Sequence, residues 1–205
     1  MHFVDNASEL LADVADQGFA VGLGDFSSKD VDVHTNYRSD WRNLYFDRGW
    51  ITQDPVVMTG IRTLGFSEWP DPAKSQNIVI RTAADHGIAG GVTISNRVGG
   101  HSCIVGLSLN KPLTKAARSK ISKTIQRTHI DHLIARTETL STNQVDLVAL
   151  FANGFRAKQV AEFFEVSEEA IKQRKSTIQN HLGVNNFLVV VNLCAMAGLT
   201  LPRIS

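Results

Sequence analysis

Residues 140–191 read LSTNQVDLVALFANGFRAKQVAEFFEVSEEAIKQRKSTIQNHLGVNNFLVVV. Four short segments there carry apolar residues at helical spacing, separated by Gly154, by Glu165-Val166-Ser167 and by Asn185-Asn186. The pattern predicts a compact all-α unit of four helices over residues 140–205, arranged as a helix-turn-helix. Ser141 stands three residues before Gln144, the spacing of a capping box, and Gly154 stops the helix that holds Val145, Val148, Leu150 and Phe151. Val160, Ala161, Phe163 and Phe164 mark the second helix. Ser167 caps the third, with Glu168 and Glu169 favourably placed in its first turn. At about 100° per residue, Ile171, Ile178 and Leu182 share one side of that helix. Lys172, Gln173, Ser176, Gln179 and Asn180 share the other. Lysine donates to guanine and glutamine bonds adenine bidentately, so this face suits a major groove. Arg156, Lys158, Arg174 and Lys175 are the candidates for phosphates.

Working upstream, residues 113–140 carry Ile121, Ile125, Ile130, Leu133 and Ile134 at intervals that predict one long helix. Its apolar stripe is expected to serve both its own domain and a second copy of the chain, which makes 113–139 a linker and dimerisation helix. The net charge of +1 hides a partition: −5 over residues 1–109, +5 over 110–139 and +1 over 140–205. The basic run from Lys111 to Arg136 reads first as a solvated helix face and, in the sharper alternative, as added attraction for phosphates beside the reading helix.

Residues 1–112 alternate helix and strand signals. Ser8 to Gln17 has helical spacing, Phe19 to Phe26 and Val31 to Thr35 alternate as strands, and Arg38–Arg48 and Val56–Leu64 are helical. A Pro-rich turn follows Trp69. Gly91–Ser95 and Ser102–Leu109 are β-branched runs around a turn at Arg97–Gly100, which predicts a hairpin. The fold class expected is α+β: an N-terminal α-β-α sandwich with an antiparallel sheet, the linker helix, and the C-terminal four-helix unit. With 43% apolar residues in 205, real cores are available and a folded chain is expected. No apolar run approaches the roughly 20 residues of a membrane span, and the N-terminus has no signal-peptide pattern, so a cytoplasmic protein is expected. Cys103 and Cys194 lie far apart without metal-ligand spacing and are expected to be free buried thiols.

The string 140–191 resembles the DNA-binding domain of LuxR-type regulators. The shared pattern includes Leu140, Ala152, Gly154, Lys158-Gln159-Val160-Ala161, Ser167, Ile171-Lys172 and Leu182-Gly183-Val184. It departs at Asn143-Gln144-Val145, Ala170 and Arg174. NYRSDWRNLYFDRGWITQDPVV, residues 36–57, resembles the signal-binding domain of the acyl-homoserine-lactone receptors in the same family. Trp41, Tyr45, Asp54-Pro55, Trp69, Gly87 and Gly91 carry that likeness, and the two together run from about Phe19 to Leu199.

The resemblance implies an N-acyl homoserine lactone as effector, with no cofactor. In such a site Asp54 accepts the ligand's amide N–H, Trp41 donates to the lactone carbonyl and Tyr37 to the amide carbonyl. Tyr45 and Trp69 wall the pocket, Gly91 lets the chain pass close, and Ser108 meets a substituent on the acyl chain. The physics agrees, since a buried carboxylate is costly unless something donates to it. The partners implied are double-stranded promoter DNA at a palindromic site, a second copy of the chain, and either RNA polymerase or a paralogous receptor.

Two other classes are weighed. Gly100-His101-Ser102-Cys103-Ile104 begins like a nucleophile elbow but has isoleucine where the last glycine belongs, so it reads as a hairpin edge. His129-x-x-His132 has no third metal ligand and reads as surface histidines. An enzyme is therefore not expected. The remaining alternative is an orphan or inhibitory family member that acts without a signal or through inactive heterodimers.

Overall fold

The computed structural model describes residues 3–27 and 30–201. They fall into two compact units: the chain up to Arg97 with Ser102–His129, and Val98–His101 with the chain from Ile130 onward.

The first unit is built on a five-stranded sheet. In chain order its elements are α1 (Phe3–Val14), β1 (Phe19–Asp25), β2 (Asp30–Thr35), α2 (Ser39–Asp47), α3 (Pro55–Arg62), β3 (Gly65–Glu68), α4 (Ile78–Asp85), β4 (Gly91–Val98) and β5 (His101–Ser108), followed by α5 (Lys115–Thr137). The strands lie in the order β2-β1-β5-β4-β3. β4 and β5 are joined through Gly99 and Gly100, whose φ values of 54° and 95° are the left-handed pair that a two-residue hairpin turn requires.

Alternation along the strands sends opposite residues to two different layers. Phe19, Val21 and Leu23 of β1 and Cys103, Val105 and Leu107 of β5 enter a core with Ala7 and Leu11 of α1 and Ile121 and Ile125 of α5. The other face of the same strands carries Ala20, Gly22, Ile104 and Gly106, which line a cavity together with residues of α2, α3 and α4. The expected α-β-α sandwich is thus present. Gly60 lets α3 sit down on the sheet: a Cβ added there would lie 2.5 Å from Ile104 Cγ2.

In the second unit α6 (Thr142–Ala152), α7 (Ala157–Phe163), α8 (Glu168–Leu182) and α9 (Phe187–Met196) enclose one core that includes Leu147, Val148, Val160, Ile171, Ile178, Leu182, Val190 and Cys194. The capping box is formed, with Ser141 Oγ accepting from the Gln144 N–H and Gln144 Oε1 accepting from the Ser141 N–H. Ser167 caps α8, and Gly183, at φ 71°, ends it.

Several expectations are corrected. The first helix begins at Phe3 and ends at Val14, and its buried row starts at Ala7, ahead of the first leucine, and continues at Leu11. The short elements β3 and α4 lie around what the sequence shows only as a Pro-rich connection. The apolar stripe of α5 is used within the chain: Ile121 and Ile125 are buried in the sheet core and Leu133 in the four-helix core. Ile130 and Ile134 of the same helix are half-buried, and the division between the units falls inside it. His129 is fully buried beside Asn96 Oδ1 instead of on the surface. Both cysteines are free and buried; burial raises both thiol pKa values, that of Cys194 to about 11.

Candidate functional site

A cavity of about 110 Å³ opens on the second face of the sheet. Its walls are mostly apolar and aromatic. Trp41, on α2, is 6% exposed, and its ring centroid lies 5.6 Å from Tyr45, 5.8 Å from Trp50 and 5.4 Å from the His86 ring. Trp41 and Tyr45 are four residues apart and so share one face of that helix.

Asp54 enters the cavity from the start of α3. It caps that helix through Oδ1, which accepts the Val56 N–H at 2.8 Å, while Oδ2 accepts the Tyr45 hydroxyl at 2.9 Å. Pro55 at the first helical position has no N–H to leave unpaired. Burial raises the Asp54 pKa, and the N–H groups of Val56 and Val57 and the Tyr45 hydroxyl oppose the rise. Tyr45 and Tyr37 are both pushed up, first by burial and then by the nearby Asp54 carboxylate. Both tyrosines therefore remain hydrogen-bond donors at any physiological pH. Tyr45 uses its hydroxyl on Asp54, whereas the Tyr37 hydroxyl and the Trp41 indole N–H, which also line the cavity, have no hydrogen-bond partner among the described residues. The site thus combines one buried acceptor with two uncommitted donors in apolar surroundings.

Five of the seven residues that the sequence nominates for the ligand, Tyr37, Trp41, Tyr45, Asp54 and Trp69, line this one cavity. Trp69 is fixed by its own N–H donating to the Gly91 carbonyl at 3.0 Å and its indole donating to Thr93 Oγ1 at 3.0 Å. Gly91 and Ser108 are not among the lining residues. Gly91 admits Trp69, since a Cβ there would lie 2.8 Å from two atoms of that ring and 2.1 Å from the Leu107 carbonyl oxygen. The Ser108 hydroxyl is fully buried and donates to the Gly90 carbonyl at 3.2 Å, so it is spent on the backbone. Lining residues that went unread include Phe26, Thr35, Ile80, Ile88, Ile104 and Gly106. Strand alternation places Ala20 and Gly22 opposite the core-facing Phe19, Val21 and Leu23, but only the pairing of β1 with β5 brings them beside Ile104 and Gly106. The Thr35 hydroxyl is also spent, donating to the Phe19 carbonyl and accepting the Tyr37 N–H.

In the four-helix unit the residues nominated for DNA fall into two groups. Arg156, Lys158, Lys172, Gln173 and Arg174 are exposed around α7 and α8. Lys172 lies 3.7 Å from Glu169 in an exposed pair, and the Arg174 guanidinium lies over the Phe164 ring. Lys175, Ser176 and Gln179 are less available. The Lys175 ammonium sits over Phe151 and Phe187, 4.7 and 4.5 Å from their centroids, the Ser176 hydroxyl donates to the Lys172 carbonyl, and Gln179 is half-buried.

A helix-flanked sheet with an aromatic cavity around one buried carboxylate is the framework of a small-molecule sensor domain. The autoinducer binding domain family matches residues 2–133, and the chain belongs to that family. Transcriptional activator protein TraR of Agrobacterium vitis is 36% identical over 95 residues, which are 42% of this chain and 41% of TraR, so the match spans less than half of that relative. Among solved structures, Escherichia coli SdiA superposes with a TM-score of 0.54 at 18% identity over 97% of this chain and 89% of SdiA. The N-acylhomoserine lactone dependent LuxR family transcription factor CepR2 of Burkholderia cenocepacia superposes at 0.50 and 15% identity over 64% of this chain and 83% of CepR2. At these identities the likeness to SdiA and CepR2 is one of fold. TraR carries the name of a transcriptional activator and CepR2 that of a transcription factor.

Proposed function

We propose that the chain is a quorum-sensing transcriptional regulator whose cavity binds an N-acyl homoserine lactone and whose four-helix unit is a helix-turn-helix that binds promoter DNA. The observation that carries this reading is the pairing of buried Asp54 with the uncommitted donors Tyr37 and Trp41 in one apolar cavity. An acyl-homoserine lactone offers the complementary set: one N–H for Asp54, an amide carbonyl for Tyr37, a lactone carbonyl for Trp41, and an apolar tail for the remaining walls. CepR2, which shares the fold, is an N-acylhomoserine lactone dependent factor, and that supports the assignment.

For DNA, Lys172 and Gln173 near the start of α8 are the base-reading candidates, with Arg156, Lys158 and Arg174 on phosphates. A homodimer on a palindromic site, with half-sites roughly 10 base pairs apart, is the arrangement proposed. The apolar side chains of α5 that the chain itself leaves half-buried, Ile130 and Ile134, are the proposed contact between copies.

Trp41, Trp50 and Trp69 are the three tryptophans, and all stand in or beside the cavity's aromatic cluster. Titrating tryptophan fluorescence and thermal unfolding with a series of lactones tests the proposal directly. A saturable response with raised stability supports it. Folded, ligand-free protein that answers to none of them, and that co-purifies with a paralogous receptor, establishes the inhibitory-partner reading instead. A footprint over a single asymmetric half-site refutes the palindromic arrangement.

A further inference from the structure

The floor of the cavity is two rows of the sheet. Thr35, Ala20 and Gly106 stand side by side across β2, β1 and β5, and Val33, Gly22 and Ile104 stand side by side in the next row. All six line the cavity. Residues two apart on one strand are separated by about 6.6 Å, so the rows are that far apart.

The two rows have different roofs. Gly106 in the first row faces Trp69, with an added Cβ only 3.3 Å from that ring, and Thr35 accepts the Tyr37 N–H, so this row lies at the aromatic and polar end. The second row is closed by Phe26. This residue opens the turn between β1 and β2, and its ring folds back onto β1: a Cβ built on Gly22 would lie 2.7 Å from Phe26 Cζ and 3.5 Å from Val31 Cγ1. The ring is seated where the strand has no side chain. The Ser27 N–H and hydroxyl both donate to the Asp25 carboxylate, at 2.8 and 2.6 Å, and fix the turn from which the ring extends.

We propose that Phe26 is the end stop of the tail subsite and sets the length of the acyl chain that the protein accepts. The inference rests on the lactone reading of the cavity. One row of sheet is spanned by a zigzag of about five carbon–carbon bonds of ~1.5 Å, so short acyl chains fit between the Tyr37 end and the ring. Longer ones meet it. The residue selects by position, with no hydrogen bond to the ligand, and its seat on Gly22 means that the strand and the ring determine chain length together.

The test is a fluorescence titration of the full chain with butanoyl, hexanoyl, octanoyl, decanoyl and dodecanoyl homoserine lactones. Wild type, Phe26→Ala and Gly22→Ala are compared, each first shown to be folded by circular dichroism. Each methylene buried before the stop tightens binding about fourfold, and each one past it gives no gain. Wild type is expected to bind best at or near hexanoyl. Phe26→Ala shifts the optimum to longer chains. Gly22→Ala shifts it to shorter ones, because the new Cβ displaces the ring from β1 into the cavity; if Phe26→Ala does not fold, this variant decides alone. An unchanged optimum in the folded variants, or a wild type that prefers dodecanoyl, overturns the proposal. Absence of binding by any of the proteins overturns the lactone reading itself, and the length selection with it.

Discussion

Asp54→Asn separates the two roles of the carboxylate at the cavity wall. As a helix cap, asparagine serves as well as aspartate, so the 2.8 Å bond from the Val56 N–H survives the change, whereas Asp54→Ala removes it at a cost of about 1 kcal/mol. As an acceptor for a ligand N–H, the carboxylate makes a charge-assisted bond of about 1.5–3 kcal/mol and a neutral amide makes one of about 1 kcal/mol. Affinity for a lactone is therefore expected to fall roughly 2- to 30-fold in Asp54→Asn. Stability moves the other way. Because burial raises the Asp54 pKa, the native state holds the proton more tightly than the unfolded chain does. Stability from this group is complete below the unfolded carboxylate pKa of about 3.9 and is lost as pH rises through the folded value. At neutral pH the ligand-free Asp54→Asn protein is thus expected to melt higher than wild type, and the difference should close on acidification. Lactone affinity of wild type should weaken over that same window, as the acceptor is protonated. Melting curves and titrations between about pH 4 and pH 8, taken as differences between wild type and Asp54→Asn, cancel the contributions of other groups. The reasoning is refuted if Asp54→Asn destabilises the ligand-free protein as much as Asp54→Ala does, or if its affinity is unchanged.

Gly91→Ala places a Cβ 2.1 Å from the Leu107 carbonyl oxygen, so β4 and β5 must separate and Trp69 must move; a loss of about 3 kcal/mol or more is expected, and an unchanged melting temperature contradicts it. Glu165, at φ 52°, is the one non-glycine residue with positive φ among those described, and Glu165→Asn should stabilise by about 0.5–1 kcal/mol, seen as a higher urea midpoint at unchanged slope. Lys175→Met should cost up to about 1 kcal/mol through loss of the ammonium over Phe151 and Phe187. It should leave the salt dependence of promoter binding unaltered. Lys158→Ala, by contrast, should reduce the slope of log K against log salt by about 0.9 while stability holds, as measured by anisotropy of a labelled duplex.

The four-helix unit was the most legible part of the chain because its signals are local. Ser141 with Gln144, Ser167, Gly154 and Gly183 act within one helical turn of themselves, and the row Ile171, Ile178, Leu182 follows from helical geometry alone. The polar wall of the cavity was legible for another reason: Tyr37, Trp41, Tyr45 and Asp54 lie within 18 residues of sequence, and the resemblance supplied their joint spacing. The apolar floor was not, since Ala20, Gly22, Ile104 and Gly106 meet through pairing of β1 with β5, more than 80 residues apart, and that register is not written in either strand. Short elements were missed for lack of length: α4 has eight residues and β3 has four, too few for periodicity to emerge. The bond from the Ser108 hydroxyl to the Gly90 carbonyl was not legible either, since a strand-end hydroxyl gives no sign of which acceptor lies beside it.

The bond from Tyr45 to Asp54 means that an arriving N–H is exchanged into an occupied network and does not meet a bare charge. The difference between a ligand that brings the N–H and an ester analogue that does not is then about one hydrogen bond, on the order of 1–2 kcal/mol, and not the full penalty of an orphaned buried carboxylate. Discrimination at this point of the cavity is roughly tenfold. Under the proposed function, esters of matching shape compete for the cavity at modestly higher concentrations, so discrimination depends on which molecules are present as much as on the carboxylate itself.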